Sequence, residues 1–125
     1  MLLGSVMYAK EMNLLVDFYQ LLGFSVDTAE PGFTILTRLG TELSIIQAPE
    51  VIAAEIEIEN PPVSRTETPI KLVFVVDSIE AVAEQLNKRG GRMDRGQARW
   101  QLGDFYVQDA VDPEGNIFQL RERMS

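Results

Sequence analysis

The 125-residue chain contains no histidine and no cysteine. Without histidine it lacks the commonest ligand for zinc, iron, copper and nickel, and the commonest acid–base group near neutral pH. Without cysteine, disulfides and thiolate chemistry are excluded, which fits a reducing compartment. Chemistry would have to come from carboxylates, lysines, tyrosines or a bound cofactor. No apolar run approaches the ~20 residues that cross a bilayer. The opening "MLLGSVMYAK" has no basic leader, so neither a signal peptide nor a membrane span is expected, and the expected location is the cytoplasm. Basic residues are also few: Lys and Arg total 11 against 19 Asp and Glu, a formal charge of −8. So acidic a chain repels phosphate backbones, and nucleic acid is not an expected partner.

What the chain does have is apolar material in a pattern that occurs twice. Hydrophobic residues make up 46% of it, enough for one domain or two small halves sharing a core. Residues 2–9 are short and apolar, as in a buried strand. From Glu11 to Leu22 the period changes: Met12, Leu15, Val16, Tyr19 and Leu22 form one stripe of a helix, and Gly23 follows as a stop. "FSVDT", "FTILTRL" and "ELSIIQ" read as strands separated by "EPG" and "LGT". The pattern restarts at "IKLVFVV", a continuous run expected to be buried on both faces. "DSIEAVAEQLNKRGG" then offers Asp77 or Ser78 as helix cap, a stripe of Ile79, Val82, Ala83 and Leu86, and Gly90 as stop. "GRMDRGQARW", "DFYVQDAV" and "NIFQLRE" supply further strands.

The halves register on each other. Met12 and Ile79, Leu15 and Val82, Tyr19 and Leu86, and Gly23 and Gly90 are each 67 residues apart. "GTELSI" matches "GNIFQL" at a spacing of 75. The expected fold class is α+β: two tandem β-α-β-β-β modules with curved mixed sheets enclosing a cleft. Module 1 covers about residues 1–48, a proline-bearing connector about 49–68, and module 2 about 69–125. The part "VIAAEIEIE" of the connector suits a short helix or an edge strand equally.

Two stretches, "LLVDFYQLLGFSV" and "VDPEGNIFQLRE", resemble motifs of the vicinal oxygen chelate superfamily, which includes glyoxalase I, the bleomycin-resistance proteins and the extradiol dioxygenases. Both motifs have a structural reading. Phe18 and Tyr19 pack a helix on its sheet, Asp112 accepts hydrogen bonds in a turn, and Gly115 or Asn116 takes a positive φ. The resemblance implies a single domain over residues 1–125 and places metal ligands, where relatives have them, at Gly4, Ser44, Lys71 and Gln119. Shifting the first strands by one residue offers Leu3 or Ser5, and Ile70 or Leu72. None of these makes a transition-metal set. A hard-cation site would have to draw on Glu42, Asp104 and Asp109.

No metal and no cofactor is therefore expected. The candidate ligand-binding residues are Tyr8, Glu42, Ser44, Lys71, Trp100, Gln119 and Arg121, with Phe105 or Tyr106, but not both, on the same face. The leading expectation is a metal-independent small-molecule binder that takes a cationic or aromatic ligand in its cleft, as a homodimer. The alternatives are an enzyme using Glu42 or Lys71 as base, and a structural or regulatory module without a working site.

Overall fold

The computed structural model describes residues 1–58, 62, 70–94 and 99–125. Most of the connector, including Pro61 and Pro69, and the segment "RGQA" lie outside them. The chain divides into two units, Met1–Glu57 and Ile58–Ser125.

The first unit runs β1 (Gly4–Ala9), α1 (Met12–Gln20), β2 (Ser25–Glu30), β3 (Phe33–Arg38), β4 (Thr41–Gln47) and α2 (Glu50–Glu55). Its sheet has the order β1-β4-β3-β2, with β1 and β4 parallel and the other pairs antiparallel. The parallel pair requires a crossover, and α1 supplies it. Period-two alternation splits the sheet into two faces. Ala9, Thr34, Leu36, Leu43 and Ile45 are buried on one face, as are Met12, Leu15, Phe18 and Tyr19 of α1, which packs on β3 and β4. Phe18 and Tyr19 meet edge to face, with centroids 5.1 Å apart. Each such aromatic contributes about 1.5–3 kcal/mol through removal of its apolar surface from water. Val16 lies at the margin of the expected stripe and is only half-buried, because Phe18 takes the central position. The chain turns at Gly23 with φ 95°. There Arg38 Nη1 donates to the Leu22 carbonyl at 2.6 Å, satisfying the end of the helix. In the connector, "EVIAAE" is helical rather than extended, with none of its residues buried.

The second unit runs β5 (Leu72–Val75), α3 (Ile79–Leu86), a 3-10 turn at Asn87–Arg89, β6 (Arg92–Met93), β7 (Trp100–Leu102), β8 (Phe105–Val111) and β9 (Ile117–Arg123). Its sheet has the order β5-β9-β8-β6, and β7 pairs with the opposite end of β8 from β6. Ser78 caps α3 by accepting from Ala81 N at 3.2 Å. Of the expected stripe, Ile79 and Leu86 are fully buried, and Val82 and Ala83 partly so. Phe118 and Leu120 are buried on the face toward the helix. The expectation that "IKLVFVV" is buried on both faces fails: Val73 and Val75 are 46% and 48% exposed. The cause is position, since β5 is the edge of its sheet and only Leu72 and Phe74 turn toward the helix side.

The internal repeat holds in the hydrogen-bond register. Val6 pairs with Ser44 in the first sheet and Val73 with Gln119 in the second, at the same spacings as in the sequence. Asp112 closes the last turn of the second unit, accepting from Glu114 N, Asn116 N and Asn116 Nδ2 at 2.8, 3.0 and 2.8 Å, with Gly115 at φ 86°. It is a buried turn acceptor.

Candidate functional site

Each sheet has a face turned away from its helix, and the candidate residues divide between these two faces. In the first unit, the pairs Gly4–Glu42, Val6–Ser44 and Tyr8–Ile46 put Tyr8, Glu42 and Ser44 on one face, with Phe33, Ile35 and Thr37 of β3 continuing the rows. Leu3, Gly4, Ser5, Val6, Glu42 and Ser44 line a shallow cavity of about 220 Å³. Val6 is 55% and Tyr8 67% exposed. Glu42 is half-buried and has no cationic partner among the described residues. Position 4 in the cavity wall has no room for a side chain: a Cβ there would lie 1.7 Å from the Glu42 carbonyl oxygen. Such an approach of two backbones admits only glycine.

In the second unit the rows are Val75–Arg121–Val107–Trp100 and Val73–Gln119–Asp109. Gln119, Arg121 and Trp100 therefore share one face with Asp109, and Lys71 joins them through its side chain. Lys71 Nζ donates to Asp109 Oδ2 at 2.6 Å, an ion pair whose lysine is 39% exposed and whose carboxylate is almost fully buried. Arg121 Nε donates to Gln119 Oε1 at 2.8 Å. Of Phe105 and Tyr106, the first is on this face, in register with Arg123. The guanidinium carbons of Arg121 and Arg123 lie 5.7 and 4.8 Å from its ring centre. Trp100 is half-buried beside Val107.

At the four positions that the sequence resemblance marks for metal ligands, the side chains are poorly suited to that role. Gly4 cannot carry a ligand, Ser44 offers a hydroxyl, the Lys71 ammonium is a cation, and the Gln119 amide oxygen is engaged by Arg121. Among the described residues, no three His, Cys, Asp or Glu side chains come together to hold an ion. The hard-cation candidates are dispersed as well: Asp104 is exposed in the turn before β8, and Asp109 is buried in mid-strand with Lys71.

Sequence reading missed the role of Asp109. Its signal was there: in "FYVQDAV" the parity of Phe105, Val107 and Val111 runs through Asp109, a polar residue in an apolar row. The repeat equates it with Ile35, since Ser44 pairs with Ile35 as Gln119 pairs with Asp109. The stacking of Arg123 on Phe105 was missed too, because only the strand register brings them side by side.

No family model matches the chain, and no curated protein matches it. Solved structures do. A glyoxalase/bleomycin resistance protein/dioxygenase family enzyme from Burkholderia phytofirmans PsJN matches with TM-score 0.67 and 18% identity over 98% of both chains. A bleomycin resistance determinant encoded on the transposon Tn5 matches with TM-score 0.61 and 17% identity, over 96% of this chain and 95% of that one. A bleomycin-binding protein complexed with bleomycin matches with TM-score 0.57 and 18% identity over 94% of both. The chain has the fold of these glyoxalase/bleomycin-resistance structures. At these identities the likeness speaks for architecture and not for a substrate. No helix among the described residues is long and apolar enough to cross a membrane.

Proposed function

We propose that the protein is a metal-independent small-molecule binder, and that the first sheet holds a ligand with a cationic group and an apolar or aromatic body. The observation that carries this reading is Glu42, a half-buried carboxylate without a cationic partner among the described residues, at the wall of a cavity that Gly4 also lines. A carboxylate so placed favours a cation. Val6, in the next row, provides apolar surface, and the exposed ring of Tyr8 extends the same face farther along β1 toward the ligand's body. Ser44 adds one hydroxyl for orientation. The net charge of −8 draws cations toward the whole surface. The architecture shared with a bleomycin-binding protein makes bleomycin a reasonable first probe.

The competing enzymatic reading is weakened at one of its two bases, because the Lys71 ammonium is paired with Asp109 and would have to leave that ion pair and give up a proton before it could act as a base. In our reading the protein works in the cytoplasm as a homodimer with an isologous contact, the usual outcome for such chains. Light scattering after size exclusion tests the dimer.

Calorimetric titration with bleomycin, and with benzamidine as a minimal aromatic cation, tests the site. Binding is expected to persist after dialysis against a chelator and to weaken about tenfold in Glu42→Gln, the loss of a charge-assisted contact. Equal affinity in Glu42→Gln, or absence of heat with both probes, overturns the reading; loss of binding on chelation overturns the metal independence.

A further inference from the structure

We propose that the second sheet carries its own subsite for a neutral carboxamide, formed by Asp109 and Gln119 and kept in orientation by Lys71 and Arg121. The starting point is an unmet hydrogen-bonding group. Asp109 is 2% exposed, and its Oδ1 is a buried side-chain oxygen without a hydrogen-bond partner among the described residues. Buried polar atoms in folded proteins nearly always have a partner, because an unsatisfied one keeps its full desolvation cost. The repeat sharpens the anomaly, since the equivalent position in the first sheet is Ile35. Packing of the sheet alone is served by an aliphatic side chain there.

Beside Asp109, its register partner Gln119 is held in one orientation. Its Oε1 accepts from Arg121 Nε at 2.8 Å, so the amide nitrogen is on the other side, and it has no partner among the described residues. The amide has two N–H groups to donate. Directly paired residues of β8 and β9 thus carry an acceptor, Asp109 Oδ1, and a donor, Gln119 Nε2, both unmet among the described residues. Gln119 itself is half-buried, and its other neighbour in the row, Val73 of β5, is half-exposed.

The charge state of this pair selects among ligands. Asp109 Oδ2 is already matched by Lys71 at 2.6 Å. An arriving ammonium would meet the Lys71 charge and would offer nothing to accept from Gln119. A carboxylate would have no hydrogen for Oδ1. A carboxamide carries an N–H donor and a carbonyl acceptor side by side and is uncharged, so it satisfies both atoms at once. This subsite differs in kind from Glu42, whose carboxylate has no cationic partner among the described residues, and its outcomes do not depend on whether a cation binds the first sheet.

The test uses benzamide, benzoate and benzylamine, three probes with one aromatic body, titrated into the full-length protein while backbone amide resonances of residues 107–110 and 117–121 are followed by NMR. Benzamide is expected to give saturable shifts there, with affinity at least about tenfold above the other two, since a mismatched polar group in a site built for hydrogen bonding loses that much. Gln119→Leu, at a half-exposed position, is expected to abolish those shifts. The double variant Lys71→Met/Asp109→Leu is expected to do the same while its melting temperature stays level or rises, as for a buried ion pair replaced by apolar groups. Absence of saturable shifts with benzamide, as when Oδ1 is met by ordered water only, overturns the proposal. So do equal affinities for the three probes, or benzamide binding retained in either variant.

Discussion

The two units share a backbone plan and differ in what they place on the face away from the helix. In the first, that face is Val6, Tyr8, Phe33, Ile35 and Ile46 with Thr37, Ser44 and one carboxylate, Glu42, unpaired among the described residues. In the second, the equivalent rows carry the Lys71–Asp109 ion pair, the Arg121–Gln119 hydrogen bond and two arginines on Phe105. The same strand geometry thus supports a mostly apolar surface and a connected polar network. What the comparison teaches is that a position's fate in a duplicated fold is set by the side chains it faces, and not by its place in the ladder.

Position 4 is where the halves diverge most. Gly4 is pressed against the Glu42 backbone, whereas its repeat equivalent, Lys71, precedes the β5 ladder and has room for a long side chain. Gly4→Ala is therefore expected to destabilise the protein by about 3 kcal/mol or more, since β1 and β4 must separate to admit the methyl group. The double variant Lys71→Met/Asp109→Leu is expected to cost less, because it removes both charges of the pair together and leaves no buried carboxylate unmatched. Urea unfolding of both variants measures the contrast, and equal losses would dissolve it.

A second contrast concerns the helix starts. Side chains near the ends of β4 and β9 reach the same target in both halves: Met12 N donates to Gln47 Oε1 at 2.9 Å, and Ile79 N donates to Glu122 Oε1 at 2.7 Å. Each is a strand side chain serving as a helix cap. The Gln47 amide nitrogen also donates to the carbonyls of Ala9, Lys10 and Ala48 at 3.3, 2.6 and 3.3 Å. Gln47→Glu would turn a carboxylate oxygen toward those carbonyls and is expected to cost about 2 kcal/mol. Glu122→Gln keeps the acceptor for Ile79 N and is expected to cost less than about 1 kcal/mol. Thermal unfolding of the two variants compares them directly; the reverse order would break the symmetry argument.

The smallest effect is expected at the turns. The β3–β4 turn puts Leu39 at φ 50° and Gly40 at φ 83°, whereas the longer β8–β9 turn is closed by Asp112. Leucine is poorly suited to a left-handed conformation, and its side chain here is almost fully exposed. Leu39→Asn makes the Asn-Gly pair that such hairpins favour and is expected to raise stability by about 0.5–1 kcal/mol, read as a higher denaturant midpoint.

Much of this organisation was legible from residues near each other in the chain. The helix stripes, glycine stops and strand parities of Gly4/Val6/Tyr8, Glu42/Ser44/Ile46 and Gln119/Arg121 all follow from local periodicity. Contacts set by register were not legible: Lys71 with Asp109, Gln47 with Met12, and Arg123 with Phe105 are far apart in sequence. The exposure of Val73 and Val75 escaped for the same reason, since an apolar run does not reveal whether its strand is central or at an edge.

The sequence by itself determined the repeat, the α+β class and the lack of imidazole and thiolate, because these depend only on residue identity and short-range period. Tertiary structure alone decided that Gly4 has no room for a side chain, that Lys71 neutralises Asp109 and that Glu42 stays unpaired among the described residues. Those outcomes depend on which strands lie adjacent and in what register, and hydrogen bonds and ion pairs act only over the few ångströms that this alignment creates.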